Sequence, residues 1–116
     1  MIETIVLTIP AAHDYRPVAS LVLGGLGSRL DLSYERTDDL QLAVLSVLEA
    51  ASDDSVTLEV GADGESLSIS IGPLRDGVGA DPALTRVLGR LVHGAEETHR
   101  DGRSWLELRL PLPSAS

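Results

Sequence analysis

VTLEVGADGESLSISI, residues 56–71, holds two short alternating runs separated by a turn. Val56, Leu58 and Val60 fall on one side of an extended chain, and Thr57 and Glu59 on the other. After Ala62-Asp63-Gly64-Glu65, Leu67, Ile69 and Ile71 alternate with Ser66, Ser68 and Ser70. A period of two on both sides of an Asp-Gly dipeptide predicts a β-hairpin with one apolar and one polar face. An apolar face of that size has to be covered, so the rest of the chain is read for what covers it.

Upstream, residues 2–9 alternate in the same way, with Ile5, Leu7 and Ile9 against Thr4, Val6 and Thr8, and Pro10 stops the run. From Asp14, taken as an N-cap, the period becomes helical through Tyr15, Val18, Val22, Leu26 and Leu30. Gly24, Gly25 and Gly27 each weaken that helix by about 1 kcal/mol relative to Ala. They imply either an irregular second half or a neighbour packed closely on the backbone, in a dimer or with a partner. A second helix is expected after Thr37 or Asp38, with Leu40, Val44, Val47 and Leu48 as its buried stripe, ending near Ser52.

Downstream of the hairpin, residues 72–81 (GPLRDGVGAD) read as a Gly-rich loop. Asp81-Pro82 supplies an N-cap and a first-turn proline for a third helix carrying Leu84, Val87, Leu88, Leu91 and Val92. A last hairpin, 95–100 and 103–110, turns over Asp101-Gly102; it points Leu106, Leu108 and Leu110 inward and Trp105 outward. The expected order is β-α-α-β-β-α-β-β. The expected fold class is α+β, a two-layer α/β sandwich whose mostly antiparallel mixed sheet has its helices on one face. One domain spans 1–112, and 113–116 form a loose tail.

Composition narrows the chemistry. Eighteen acidic residues face nine basic ones, a net charge of −9, so phosphate backbones and anionic lipid are poor partners and a basic protein surface a better one. With no Cys there is no disulfide, thiolate metal site or cysteine nucleophile. His13, His93 and His99 match no ligand spacing, so no metal site is expected. No G-x-S-x-G elbow or Ser-x-x-Lys pair supports a serine nucleophile. The first ten residues carry an acid and no basic residue, unlike a signal peptide, and no apolar run reaches membrane-spanning length. The expected address is the cytoplasm.

Three stretches, DDLQLAVLSVLEAA (38–51), IGPLRDGVGADPAL (71–84) and TRVLGRLVHGAEETHRDGRSWLELRLPL (85–112), resemble the Bergerat-fold (histidine-kinase-like) ATP-binding domain, most closely the anti-sigma-factor serine kinases of bacterial partner switching. The resemblance covers nearly the whole chain. In that family the second helix reads roughly LAVSEACTNA and the loop DxGxG, and the site holds Mg·ATP. Aligned on Leu42-Ala43-Val44, the family's general-base Glu falls on Ser46 and its metal-binding Asn on Ala50. Aligned on Gly77 and Gly79, its adenine-reading Asp falls on Arg75, with Asp76 one position late.

The resemblance therefore implies a vestigial site at Ala50, Arg75, Asp76, Gly77 and Gly79, with no catalytic residue, no metal and no cofactor. Ala offers a cation no oxygen, Ser is a poor base, and Arg has only donors where adenine needs an acceptor. No Asn exists anywhere in the chain. What remains is a non-catalytic regulator binding a sigma factor or an anti-anti-sigma antagonist. The surface implied is the first helix and the acids Asp31, Glu35, Asp38 and Asp39, with a homodimer through residues 15–30 as a further expectation. Two alternatives are an atypical kinase using Asp76 and Glu49, and an accessory domain in which Arg75 receives an anionic ligand.

Overall fold

A computed structural model of the chain describes residues 3–51 and 54–113. Ile2, Ser52 and the tail at 114–116 lie outside the described residues. The elements are β1 (Glu3–Pro10), α1 (Arg16–Arg29), α2 (Tyr34–Ala50), β2 (Ser55–Ala62), β3 (Ser66–Leu74), α3 (Pro82–Leu91), β4 (Gly94–Arg100) and β5 (Arg103–Pro111), with single 3-10 turns at His13–Tyr15 and Val78–Ala80. The strands form one five-stranded sheet in the order β1-β2-β3-β5-β4. All four pairings are antiparallel, so the sheet is not mixed.

Alternation sorts the sheet into two faces. Ile9, Val56, Leu58, Val60, Leu67, Ile69, Ile71, Leu106, Leu108 and Leu110 join one buried cluster with Ala19, Leu23 and Leu26 of α1, Leu40, Ala43, Val44, Val47 and Leu48 of α2, and Leu84 and Leu88 of α3. The other face has no helix over it: Val6 is 61% exposed, and Thr8 and Thr57 bond to each other across β1 and β2 at 2.8 Å. Trp105 lies on this face yet is only 9% exposed. Its ring sits on Gly72, where any Cβ would collide with it, and the Arg100 guanidinium lies 4.2 Å above the ring. Arg100 then reaches Glu59 at 2.8 Å. Trp105 is thus roofed over by its own sheet.

The turns follow local chemistry. Asp101 (φ 52) and Gly102 (φ 76) both take positive φ, the conformation of a type I′ hairpin turn. Asp63 Oδ1 accepts from the Glu65 and Ser66 amides, each at 2.7 Å. The helical hairpin closes just as tightly. Asp31 (φ 58) stands where a glycine usually ends a helix; the Leu32 amide donates to Gly27 O at 2.9 Å and the Asp31 amide to Ser28 O at 3.3 Å. Ser33 then caps α2 by accepting from the Arg36 amide at 3.1 Å.

Several expectations need correcting. α2 begins at Tyr34, not after Thr37, because Ser33 is the cap. Tyr15, without a side-chain bond, stands at the N-cap of α1 in place of Asp14. The buried stripe of α1 is Ala19, Leu23, Leu26 and Gly27, leaving Tyr15 and Val18 exposed. The stripe turns because α1 lies against α2 along its glycines: a Cβ on Gly27 would strike Thr37, and one on Gly24 would sit 3.1 Å from the Gln41 amide. β3 runs on to Leu74, so the loop does not start at 72. A register shift between Ile71 and Leu74 brings Leu74 inward too, fully buried. Val87 of α3 is 44% exposed, outside the core.

Gly27 and Gly25 should respond oppositely to one methyl group. Gly27→Ala is expected to cost about 1–3 kcal/mol through overpacking against Thr37. Gly25→Ala, with nothing within 4 Å of the added carbon, should gain about 0.5–1 kcal/mol from helix propensity. Urea denaturation followed by circular dichroism checks both signs; equal effects would contradict the close approach.

The two amide bonds hold the Asp63 carboxyl below its ordinary value of 3.8, the Glu65 bond contributing most. A depressed folded value means the carboxylate stabilises the turn above the ordinary value and loses that contribution as pH falls through the folded one. NMR titration of the Asp63 carboxyl should give a midpoint below 3.8; one at or above it would show the turn bonds absent in solution.

Candidate functional site

The residues aligned with the family's base and metal positions sit where α2 faces the start of α3. Ser46, Glu49 and Ala50 line a cleft of about 290 Å³ together with Asp81, Ala83, Leu84 and Val87. The Asp81 carboxylate caps α3 by accepting from the Ala83 amide at 3.0 Å. The Ser46 hydroxyl donates to Leu42 O at 2.8 Å, one turn back along its own helix. Its proton is thus committed to that carbonyl. Ala50 brings only a methyl group. The cleft falls just under the range of about 300–1,000 Å³ usual for small-ligand sites.

The loop residues of the expected site lie elsewhere. Arg75, Asp76, Gly77 and Gly79 are not among the lining of the α2–α3 cleft. Gly77 takes φ 90 and opens the 3-10 turn whose Val78 is buried in the core. That turn packs against β4 and β5. Gly79 lies against the Glu97 side chain so closely that a Cβ would collide with it, and Glu97 Oε2 accepts from the buried Ser104 hydroxyl at 2.8 Å. Both glycines therefore have a structural reason within the chain. Arg75 and Asp76 are exposed on the turn.

This arrangement does not fit Mg·ATP. Ala50 offers a cation no amide or carboxylate oxygen, Arg75 and Asp76, at and beside the adenine-reading position, do not line the cleft, and the space is small. Among the described residues no group of three or more His, Asp or Glu side chains could hold a metal ion. No described helix is long and apolar enough to cross a membrane.

Two larger clefts flank α2, and neither has a sequence motif. The first, about 670 Å³, runs between α1 and α2 and is lined by His13, Arg16, Pro17, Ser20, Leu21, Gln41, Leu45 and Glu49. The second, about 620 Å³, lies between the start of α2 and the end of α3, where Arg36 Nη1 donates to His93 Nδ1 at 3.2 Å. Residues 36 and 93 are brought together only by tertiary packing. The one sequence signal for the first cleft is the surplus of apolar residues in LVLGGLG. Leu23 and Leu26 enter the core, and Leu21 stays 78% exposed.

Compared with protein-family models, the chain matches none. Compared with curated proteins, it matches none either.

Titration calorimetry with Mg·ATP should give no saturable heat, and thermal shift should be flat. A shift that vanished in Asp76→Ala would show that the loop reads adenine after all. A shift that vanished in Arg75→Ala would point to another anion.

Proposed function

We propose that the protein is a non-catalytic regulatory module of the anti-sigma-factor type, built on a histidine-kinase-like ATPase (Bergerat) fold whose nucleotide site has lost its chemistry. The order β-α-α-β-β-α-β-β and the placing of α2 beside the start of α3 support that fold. In this reading it acts by binding a protein, either a sigma factor or an anti-anti-sigma antagonist.

The observation that carries the reading is the outer surface of α1. Tyr15, Val18 and Leu21 remain 45%, 41% and 78% exposed although the helix has already placed Leu23 and Leu26 in the core. Leu21 projects beside a formed groove, and exposed apolar residues at a groove suit partner contact better than solvent. Beyond the far end of α1, Asp31, Glu35 and Asp38 are exposed and Asp39 half-buried. Asp31 also shapes the helix end. With a net charge of −9, a basic partner surface is favoured over a second copy of the chain, although a homodimer through residues 15–30 uses the same face.

Leu23 is unsuited to testing this surface, since it is 1% exposed and its replacement would disturb the core. Leu21→Asp leaves the core alone. Capture of a sigma factor or its antagonist from the native host should fall at least about tenfold, as for loss of a central interface anchor, while the melting temperature holds. Undiminished capture would exclude α1 as the docking face. Light scattering of the same variant tells a lost partner from a lost homodimer.

A further inference from the structure

β1 closes one end of the sheet and β4 the other, and the two edges are built differently. β4 carries Glu96, Glu97, His99 and Arg100, the charged side chains that discourage an edge strand from pairing. Along β1, the residues from Thr4 to Pro10 carry no charge. The Ala11 amide donates to Asp54 O at 3.1 Å, which continues the β1–β2 ladder by one pair. Alternation from that pair turns the amides and carbonyls of Ile5, Leu7 and Ile9 toward β2 and those of Thr4, Val6 and Thr8 toward the free edge. Pro10, which has no amide, also falls on the free side, where a strand tolerates it.

The helices leave the same edge short of cover. α2 packs on both α1 and α3, and α3 packs on β4, so α1 lies toward β1. Gly24 and Gly27 turn one side of α1 to α2. At about 3.6 residues per turn, Tyr15, Val18 and Val22 lie on the opposite side, toward the β1 edge. Tyr15 and Val18 are exposed and Val22 is half-buried, while on β1 Ile5 is 39% exposed and Leu7 half-buried.

What fits this edge is another β1. Thr4-Ile5-Val6-Leu7-Thr8 reads nearly the same in both directions. An antiparallel copy centred on Val6 therefore sets Thr4 opposite Thr8, Ile5 opposite Leu7, and Val6 opposite Val6. Each face then meets its own kind, threonine and valine on the open side and isoleucine with leucine on the helix side. We propose that the chain forms a two-fold homodimer in which β1 pairs antiparallel with β1 of a second copy, joining the two sheets into one. Thr4, Val6 and Thr8 exchange both backbone bonds with the residue opposite. The axis runs perpendicular to the sheet, so both helical layers lie on one side. The two α1 helices then face each other across the seam, where Tyr15, Val18 and Val22 cover Ile5 and Leu7. The net charge of −9 opposes association only at a distance, and salt screens it. Leu21 lies about a quarter-turn from the seam stripe and stays free, so the dimer neither requires nor blocks docking of a protein there.

Sedimentation equilibrium of the purified whole chain should show a monomer–dimer equilibrium that tightens with added salt. Amide hydrogen exchange then reads the seam in the unaltered protein. In a lone chain the amides of Thr4, Val6 and Thr8 are open edge groups and exchange fast; as the dimer fills they should slow by at least about tenfold. Val6→Lys sets like charges directly opposite each other across the axis, on a side chain outside the core, and should weaken the dimer at least about tenfold. Leu21→Asp should leave it unchanged. The mass of a single chain at every concentration up to about 1 mM would overturn the proposal. So would a dimer in which the three amides still exchange fast, or one lost in Leu21→Asp and kept in Val6→Lys. The mass and exchange measurements use the unaltered protein, so a variant that fails to fold leaves the answer intact.

Discussion

The close approach of α1 and α2 sets the helical layer. Gly27 gives α2 room to bring Thr37 against the α1 backbone, and Gly24 lets the Gln41 amide in beside it. That approach fixes how α1 is rotated. Ala19, Leu23 and Leu26 then turn to the sheet, and Leu21 and Val18 turn away. The cleft lined by Arg16, Leu21, Leu45 and Glu49 follows from the same rotation, as do the direct packing of α2 on α3 and the small space between them. Asp31 and Ser33 support the approach by ending one helix and starting the next within a few residues.

A core without Phe has to be filled by branched aliphatics at high density, which leaves little tolerance for a shift of either helix. Leu58, Leu67, Ile69, Ile71, Leu108 and Leu110 on the sheet and Leu23, Leu40, Val44 and Val47 on the helices are each at most 2% exposed. The chain's single Trp serves the opposite face, held between Gly72 and Arg100. The Arg100–Glu59 pair above it is largely solvated and contributes little as an ion pair; its larger effect is to cover the indole ring.

The strands were readable in the sequence because each depends on neighbours within a few residues. Period-two runs and the dipeptides Asp63-Gly64 and Asp101-Gly102 determine both hairpins locally, and Asp81-Pro82 does the same for α3. Legibility fell where tertiary packing decides. That Gly27 faces Thr37, that Leu23 is core while Leu21 is not, and that Leu74 turns inward past a bulge all depend on partners remote along the chain. For the candidate site, Ser46 and Ala50 could be placed from the α2 motif. The reason for Gly79 could not, because Glu97 reaches it from a different strand. Arg16 with Glu49, and Arg36 with His93, have no motif at all.

If the chain works through its helical layer and not through a nucleotide loop, partner contact should leave a footprint there. Hydrogen exchange of the chain, free and bound to the protein it captures from its host, measures this directly. The account predicts slowed exchange in 16–29 and at the facing positions of 34–50, with 75–81 unchanged. Slowing confined to 75–81, or to the open sheet face around Thr57 and Trp105, would contradict it.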